Sequence, residues 1–213
     1  MSEAVIAIKQ LAGWLRRFHD LVIKNQLQLT ELDSAIGDAD HGINMARGMT
    51  AVIEKLDSHQ TGHINDLFKT AAMAIVTSVG GASGPLYGTF FLRFAGAAGP
   101  ATELDLPALT TALSAGLAGI VERGKAAIGD KTMVDALSPA LDAMESVIKN
   151  GGDLAAAVGA GRDAAIAGRD ATVPMVARKG RASYLGERSA GHMDPGAASM
   201  ALLLDALAAE LAG

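Results

Sequence analysis

Asp33, Asp38 and Asp40 crowd into one short stretch, Asp33-Ser-Ala-Ile-Gly-Asp38-Ala-Asp40-His41-Gly42. Carboxylates held about 5 Å apart repel by roughly 3 kcal/mol per pair at an effective dielectric near 20. A chain that gathers them between apolar segments needs full solvation or a cation to offset that repulsion. Oxygen-only ligands suit a hard cation, magnesium or calcium, rather than zinc. Magnesium in such a site keeps positions open for water and phosphate oxygens, so a metal-nucleotide site is expected. Gly37 and Gly42 are expected to supply the tight turns that let the acids converge. The competing reading is local, with Asp40 simply capping the helix that follows. An EF-hand is excluded, because counting from Asp38 the fifth position is Gly42 and the twelfth is Met49.

Other loops carry related chemistry. Ser78-Val-Gly80-Gly81-Ala-Ser83-Gly84-Pro85 ends one helix and opens another. Free N–H groups at a helix start attract anions, and small side chains let a phosphate approach. The alternative is an ordinary turn that needs small residues for close packing. Arg178, Lys179, Arg181 and Arg188 concentrate positive charge in an otherwise acidic chain, in a loop suited to phosphate or simply to solvent. Asp194-Pro195 reads as an N-cap followed by the first helical residue. Gly124 to Thr132 is no Walker A loop, since its spacing is wrong and no strand precedes it. Gly159-Ala-Gly161 lacks the third glycine of a dinucleotide fingerprint.

The elements that must hold these loops are helices. Ile8, Leu11, Leu15, Phe18 and Val22 step by three and four, as do Leu106, Leu109, Leu113, Leu117 and Ile120. Met133, Leu137, Leu141, Met144 and Ile148 form a third stripe, and Met200, Leu203, Leu204, Leu207 and Leu211 a fourth. Further helices are expected over 43–57, 65–79, 84–98 and 153–170. Trp14 and Met144 sit on stripes and read as core, whereas His19 and His63 read as surface or packing residues. Half the 213 residues are apolar but only 4% are aromatic, a mixture that favours helix over sheet. The expectation is a single all-α domain of about eight antiparallel helices. A net charge of −5 argues against direct nucleic-acid or membrane-surface binding. The lack of cysteine excludes disulfides and thiolate chemistry. With no signal segment and no membrane-length apolar run, a cytoplasmic location is expected.

Taken together, GDADHG at 37–42, VGGASGPLYGT at 79–89, GDKTM at 129–133, ARKGRASYLGERS at 177–189 and GHMDPGA at 191–197 carry a resemblance. In that order they closely resemble the ADP-binding L subunits of phosphotransferase-system-dependent dihydroxyacetone kinases. The resemblance implies one L-type domain over 1–213, a barrel of about eight antiparallel amphipathic helices with the nucleotide in loops at one end. It implies that Asp33, Asp38 and Asp40 hold magnesium, as two ions, against the diphosphate. His41, Gly42, Ile43 and Asn44 would contact the nucleotide, and Ala82 and Ser83 its phosphates. Gly124 and Met133 would line the adenine side, Arg181 would reach the nucleotide, and Asp194, Pro195 and Gly196 would close the pocket. No catalytic side chain is implied. ADP/ATP would stay tightly bound, taking phosphate from a phosphohistidine on an M-type partner subunit. The phosphate would pass to dihydroxyacetone on a K-type partner subunit, a separate chain at this length. The resemblance also leaves open a homodimer, contact with a transcription regulator, and service to another ketose, polyol or acyl substrate.

Overall fold

The computed structural model describes residues 5–59 and 61–212. Among them run nine α-helices: α1 Ile8–Lys24, α2 Gln26–Ile36, α3 His41–Ser58, α4 Ile64–Ser78, α5 Ser83–Ala98, α6 Leu106–Gly124, α7 Val134–Lys149, α8 Leu154–Ala171 and α9 Pro195–Leu211. Eight of them close a ring. Each of α3 to α9 packs on its sequence neighbour, and α1 completes the circle against both α9 and α3. Short connections make the successive helices α3 to α8 antiparallel, and only the α8–α9 connection, 172–194, is long. The fold is all-α, as the periodicity predicts, and closes into the barrel that the resemblance implies. Two short strands, β1 Ile6–Ala7 and β2 Glu103–Leu104, pair antiparallel and tie the start of α1 to the α5–α6 connection. No helix among the described residues is long and apolar enough to cross a membrane.

The ninth helix, α2, departs from the expected arrangement. The chain bends at Asn25, whose backbone and side chain both donate to the Leu21 carbonyl, and α2 then packs across α3. Its buried positions are Leu29, Asp33 and Ile36, an i, i+4, i+7 stripe with a carboxylate at its centre. Leu27 points away and is exposed, which blurs the stripe in the sequence.

The barrel interior is apolar and holds nearly all the aromatic side chains. All five Phe, Trp14 and Tyr87 have no solvent exposure, and Tyr184 is the one exposed aromatic. Trp14 packs on Phe68 and Phe94, while its indole N–H donates to the Leu203 carbonyl across the barrel at 2.8 Å. Met144 is buried, His19 half-buried and His63 exposed. A rigid core of this kind fixes the helix ends, and the helix ends carry the chemistry.

Candidate functional site

Because ring neighbours alternate in direction, α3, α5, α7 and α9 all begin at the same end of the barrel. A cavity of about 370 Å³ opens there, and His41, Ser83, Val134 and Pro195, the first residues of those four helices, all line it. Each helix start carries roughly half a positive charge, so four converging starts create a site for an anion. Two starts are already capped by aspartate side chains: Asp33 accepts from the Asp40 and His41 N–H groups of α3, and Asp194 accepts from the Ala197 N–H of α9. The start of α5 is different. No side chain caps it, and Gly81, at φ 65°, turns the chain into it through a left-handed conformation. Gly84 cannot carry a β-carbon there, since one would strike the Val79 carbonyl oxygen.

The three aspartates meet at the lip of this cavity, each offering an oxygen within 4.8 Å of the others. Asp33 is buried, Asp40 half-buried and Asp38 exposed. Two local expectations are corrected here. Asp40 occupies the N-cap position of α3 without capping it; Asp33 performs that task from the last turn of α2. Nor do Gly37 and Gly42 form the left-handed turn, which falls on Ala39 at φ 62°. The glycines serve close approach instead. A β-carbon on Gly37 would strike the Asp33 carboxylate, and one on Gly42 would strike the Gln26 carbonyl of α2. The cluster therefore has oxygen donors alone, with room kept beside Asp33 Oδ1 by the missing Gly37 side chain. That donor set fits a hard divalent cation.

Facing the acids is a 3-10 segment, Arg181–Ser189, between α8 and α9. Arg181 Nε lies 2.9 Å from Asp38 Oδ2, the ion pair that joins this segment to the acidic lip. Lys179 and Arg181 line the cavity, whereas Arg178 and Arg188 do not. Leu86, Ile120, Met133 and Val134 supply an apolar wall, with Gly124 beside them.

Of the residues expected to touch a ligand, Asp33, Asp38, Asp40, His41, Ala82, Ser83, Gly124, Met133, Arg181, Asp194, Pro195 and Gly196 line one cavity. Gly42, Ile43 and Asn44 do not. Gly42 faces α2, Ile43 is about half exposed, and Asn44 lies buried behind Gly80, accepting from Arg47. Each residue step along an α-helix rotates the side chain by about 100°, so neighbours of His41 in sequence point elsewhere. Lys131, Thr132 and Arg123 line the cavity too, and the sequence reading assigned them no role. The signal for Lys131 was the GDKTM motif itself.

His41 is not free to reach out. Nδ1 lies 3.0 Å from Ser83 Oγ, and Nε2 lies 2.9 Å from Ser199 Oγ, which in turn meets the Tyr87 hydroxyl at 2.8 Å. Burial lowers the imidazole pKa, against the raising effect of Asp33 and Asp40. The chain Tyr87–Ser199–His41–Ser83 thus anchors the α5 start to the barrel interior. Burial likewise pushes the Lys131 ammonium down, with Asp194 opposing.

Asp194 is pushed up to about 7, chiefly by burial, which outweighs the opposing Ala197 N–H; Asp135 and Asp33 raise it further, and Lys131 lowers it. In the folded chain this acid keeps its proton while the unfolded chain loses it from about pH 4 upward. Its stabilising contribution is therefore complete below the ordinary carboxylate range and lost as pH rises to about 7. Asp194→Asn keeps the capping oxygen and removes the titration. Without ligands, the stability of wild type relative to Asp194→Asn is expected to fall between pH 4 and 8, by on the order of 4 kcal/mol. Urea unfolding at several pH values checks this, and a constant difference would refute it.

Residues 35–209 match the DAK2 domain, and the chain belongs to the DAK2 domain family. Its similarity to L-type subunits runs nearly end to end. It is 43% identical over 199 residues to the PEP-dependent dihydroxyacetone kinase ADP-binding subunit DhaL of Escherichia coli, covering 93% of this chain and 95% of the relative. It is 46% identical over 194 residues to the corresponding subunit of kinase 1 from Listeria innocua, covering 91% and 92%. Among solved structures, the dihydroxyacetone kinase of C. freundii in complex with AMP-PNP and Mg2+ matches with a TM-score of 0.70 at 29% identity. That match covers 93% of this chain and 33% of the larger kinase chain.

Proposed function

We propose that this chain is a cytoplasmic, single-domain L-type subunit of a dihydroxyacetone kinase and holds ADP, with magnesium, in the cavity at the open end of the barrel. The observation that carries this reading is the meeting of three carboxylates with four helix N-termini at one cavity. Asp33 and Asp194 cap two of the starts, yet the start of α5 is uncapped and suits an anion. Three carboxylates facing the single cation Arg181 suit a further cation. A magnesium-bound diphosphate satisfies both at once.

The roles follow from position. Asp33, Asp38 and Asp40 would hold the magnesium, which supplies charge neutralisation to the phosphates, and three carboxylates are enough to serve two ions. The uncapped start of α5, at Ala82 and Ser83, presents N–H groups to phosphate oxygens, with Ser83 oriented by His41. Leu86, Gly124 and Met133 form the apolar slot for the base. Arg181 neutralises phosphate charge from the opposite side, and Asp194 to Gly196 close the wall. No side chain is required as a base, because phosphoryl transfer depends on alignment and charge neutralisation. A phosphohistidine on an M-type partner donates the phosphoryl group to the resident ADP, and dihydroxyacetone on a K-type partner receives it.

Absorbance tests the reading. With one Trp and two Tyr the chain absorbs weakly by itself, so retained ADP should shift the purified protein's spectrum toward the adenine band. Acid precipitation should release about one nucleotide per chain. A protein-like spectrum with no released nucleotide would defeat the resident-cofactor reading.

A further inference from the structure

Lys131 is the least exposed charged side chain among the described residues, at 1%, and the roles above leave it unused. It sits in the α6–α7 connection at φ 63°, a left-handed conformation rare for a residue with a β-carbon. Its ammonium lies among five main-chain carbonyl oxygens: Thr172 at 2.9 Å, Val173 at 3.4 Å, Met175 at 3.1 Å, Ser189 at 2.8 Å, and His192. An ammonium has three protons, so five acceptors exceed what one-to-one hydrogen bonding can use. The arrangement is a set of carbonyl dipoles turned toward one positive charge.

All five carbonyls belong to a single excursion of the chain between α8 and α9. Its two limbs also join where Gly191 N donates to the Val173 carbonyl and Asp194 N donates to Thr172 Oγ1. Beyond this neck the excursion carries Lys179 and Arg181 to the cavity lip, and it returns as the Asp194–Gly196 wall. Remove the charge and five inward dipoles are left facing one another in a water-poor space.

We propose that Lys131 is a built-in cation, standing where a free monovalent ion could stand, that closes the neck of this excursion and so positions Arg181 and the Asp194–Gly196 wall against the cavity. It is a positioning residue, and its consequence for nucleotide rests on the function proposed above. The neck itself is independent of that function.

The test uses Lys131→Ala and Lys131→Met in the full chain, free of nucleotide and magnesium. Tyr184, the exposed aromatic on the excursion, reports local opening as a chymotrypsin site. Both variants should be cut at Tyr184 at least about ten-fold faster than wild type. The alanine variant lacks three methylenes and the ammonium, the atoms of n-propylammonium, so adding that ion should restore protection. Methionine fills the stem without charge and should not be rescued. Protection by methionine alone, or no rescue of the alanine variant despite native circular dichroism, would overturn the proposal. If the alanine variant fails to fold, the methionine variant decides: wild-type cleavage overturns the proposal, and fast cleavage with a native spectrum supports it. In magnesium, ADP should dissociate about ten-fold faster from Lys131→Ala and be slowed again by n-propylammonium. An altered neck with an unchanged ADP off-rate would overturn the positioning role. A wild type that binds no ADP would instead sink the proposed function, leaving the neck to the protease result.

Discussion

Asp38→Ala is expected to lower ADP affinity in magnesium by at least about 100-fold, on the order of 2.7 kcal/mol. Asp38 is the cleanest of the three acids to remove. Asp33 also caps α3 through the Asp40 and His41 N–H groups, so its loss would disturb the helix as well as the charge. Asp38 is more exposed, and its ion pair is with Arg181. Losing it removes one charged ligand and leaves the main chain alone. The effect should vanish in a chelator, where the freed Arg181 keeps the variant from binding ADP more weakly than wild type. Calorimetric titration with and without EDTA reads both arms. Equal magnesium-dependent affinity in variant and wild type would remove the acids from the site.

Gly42→Ala should damage both fold and site although Gly42 does not line the cavity. The added β-carbon would meet the Gln26 carbonyl and the backbone at Thr30, neither of which is a flexible side-chain end that can swing away. Helix α2 must move bodily, and Asp33 moves with it. Overpacking against backbone costs about 3 kcal/mol, which for a chain of this size lowers the melting temperature by roughly 6–12 °C. Magnesium-dependent ADP retention should fall in parallel. Gly159→Ala in α8 is the control: nothing lies within 4 Å of where its β-carbon would stand, and alanine is the better helix former. It should be neutral or stabilising by up to about 1 kcal/mol. Scanning calorimetry with and without magnesium and ADP separates the two, and a Gly42 variant as stable as wild type would contradict the packing argument.

Local chemistry was legible in the sequence. Helical stripes, the Asp194-Pro195 cap and the glycine-rich start of α5 depend on residues within a few positions of one another, and the structure shows each of them. The clustering of Asp33, Asp38 and Asp40 was equally plain. Helix α2 was missed because its apolar positions follow no clean period, with Leu27 exposed and a carboxylate in the centre of its buried stripe. For the same reason Asp33 read as a loop residue.

Distance along the chain explains the remainder. Ser199 meets His41 across 158 residues and Tyr87 across 112, while Lys131 meets the His192 carbonyl across 61. No periodicity or cap motif encodes such meetings. The sequence by itself determined that the chain is helical and which loops bear charge, since both follow from short-range sterics and side-chain chemistry. Only the closed ring of antiparallel helices decided that four helix starts share one end, that Gly42 is a contact surface, and that a buried lysine has five carbonyls around it. Those facts arise from packing, which joins whatever surfaces the closed ring brings face to face.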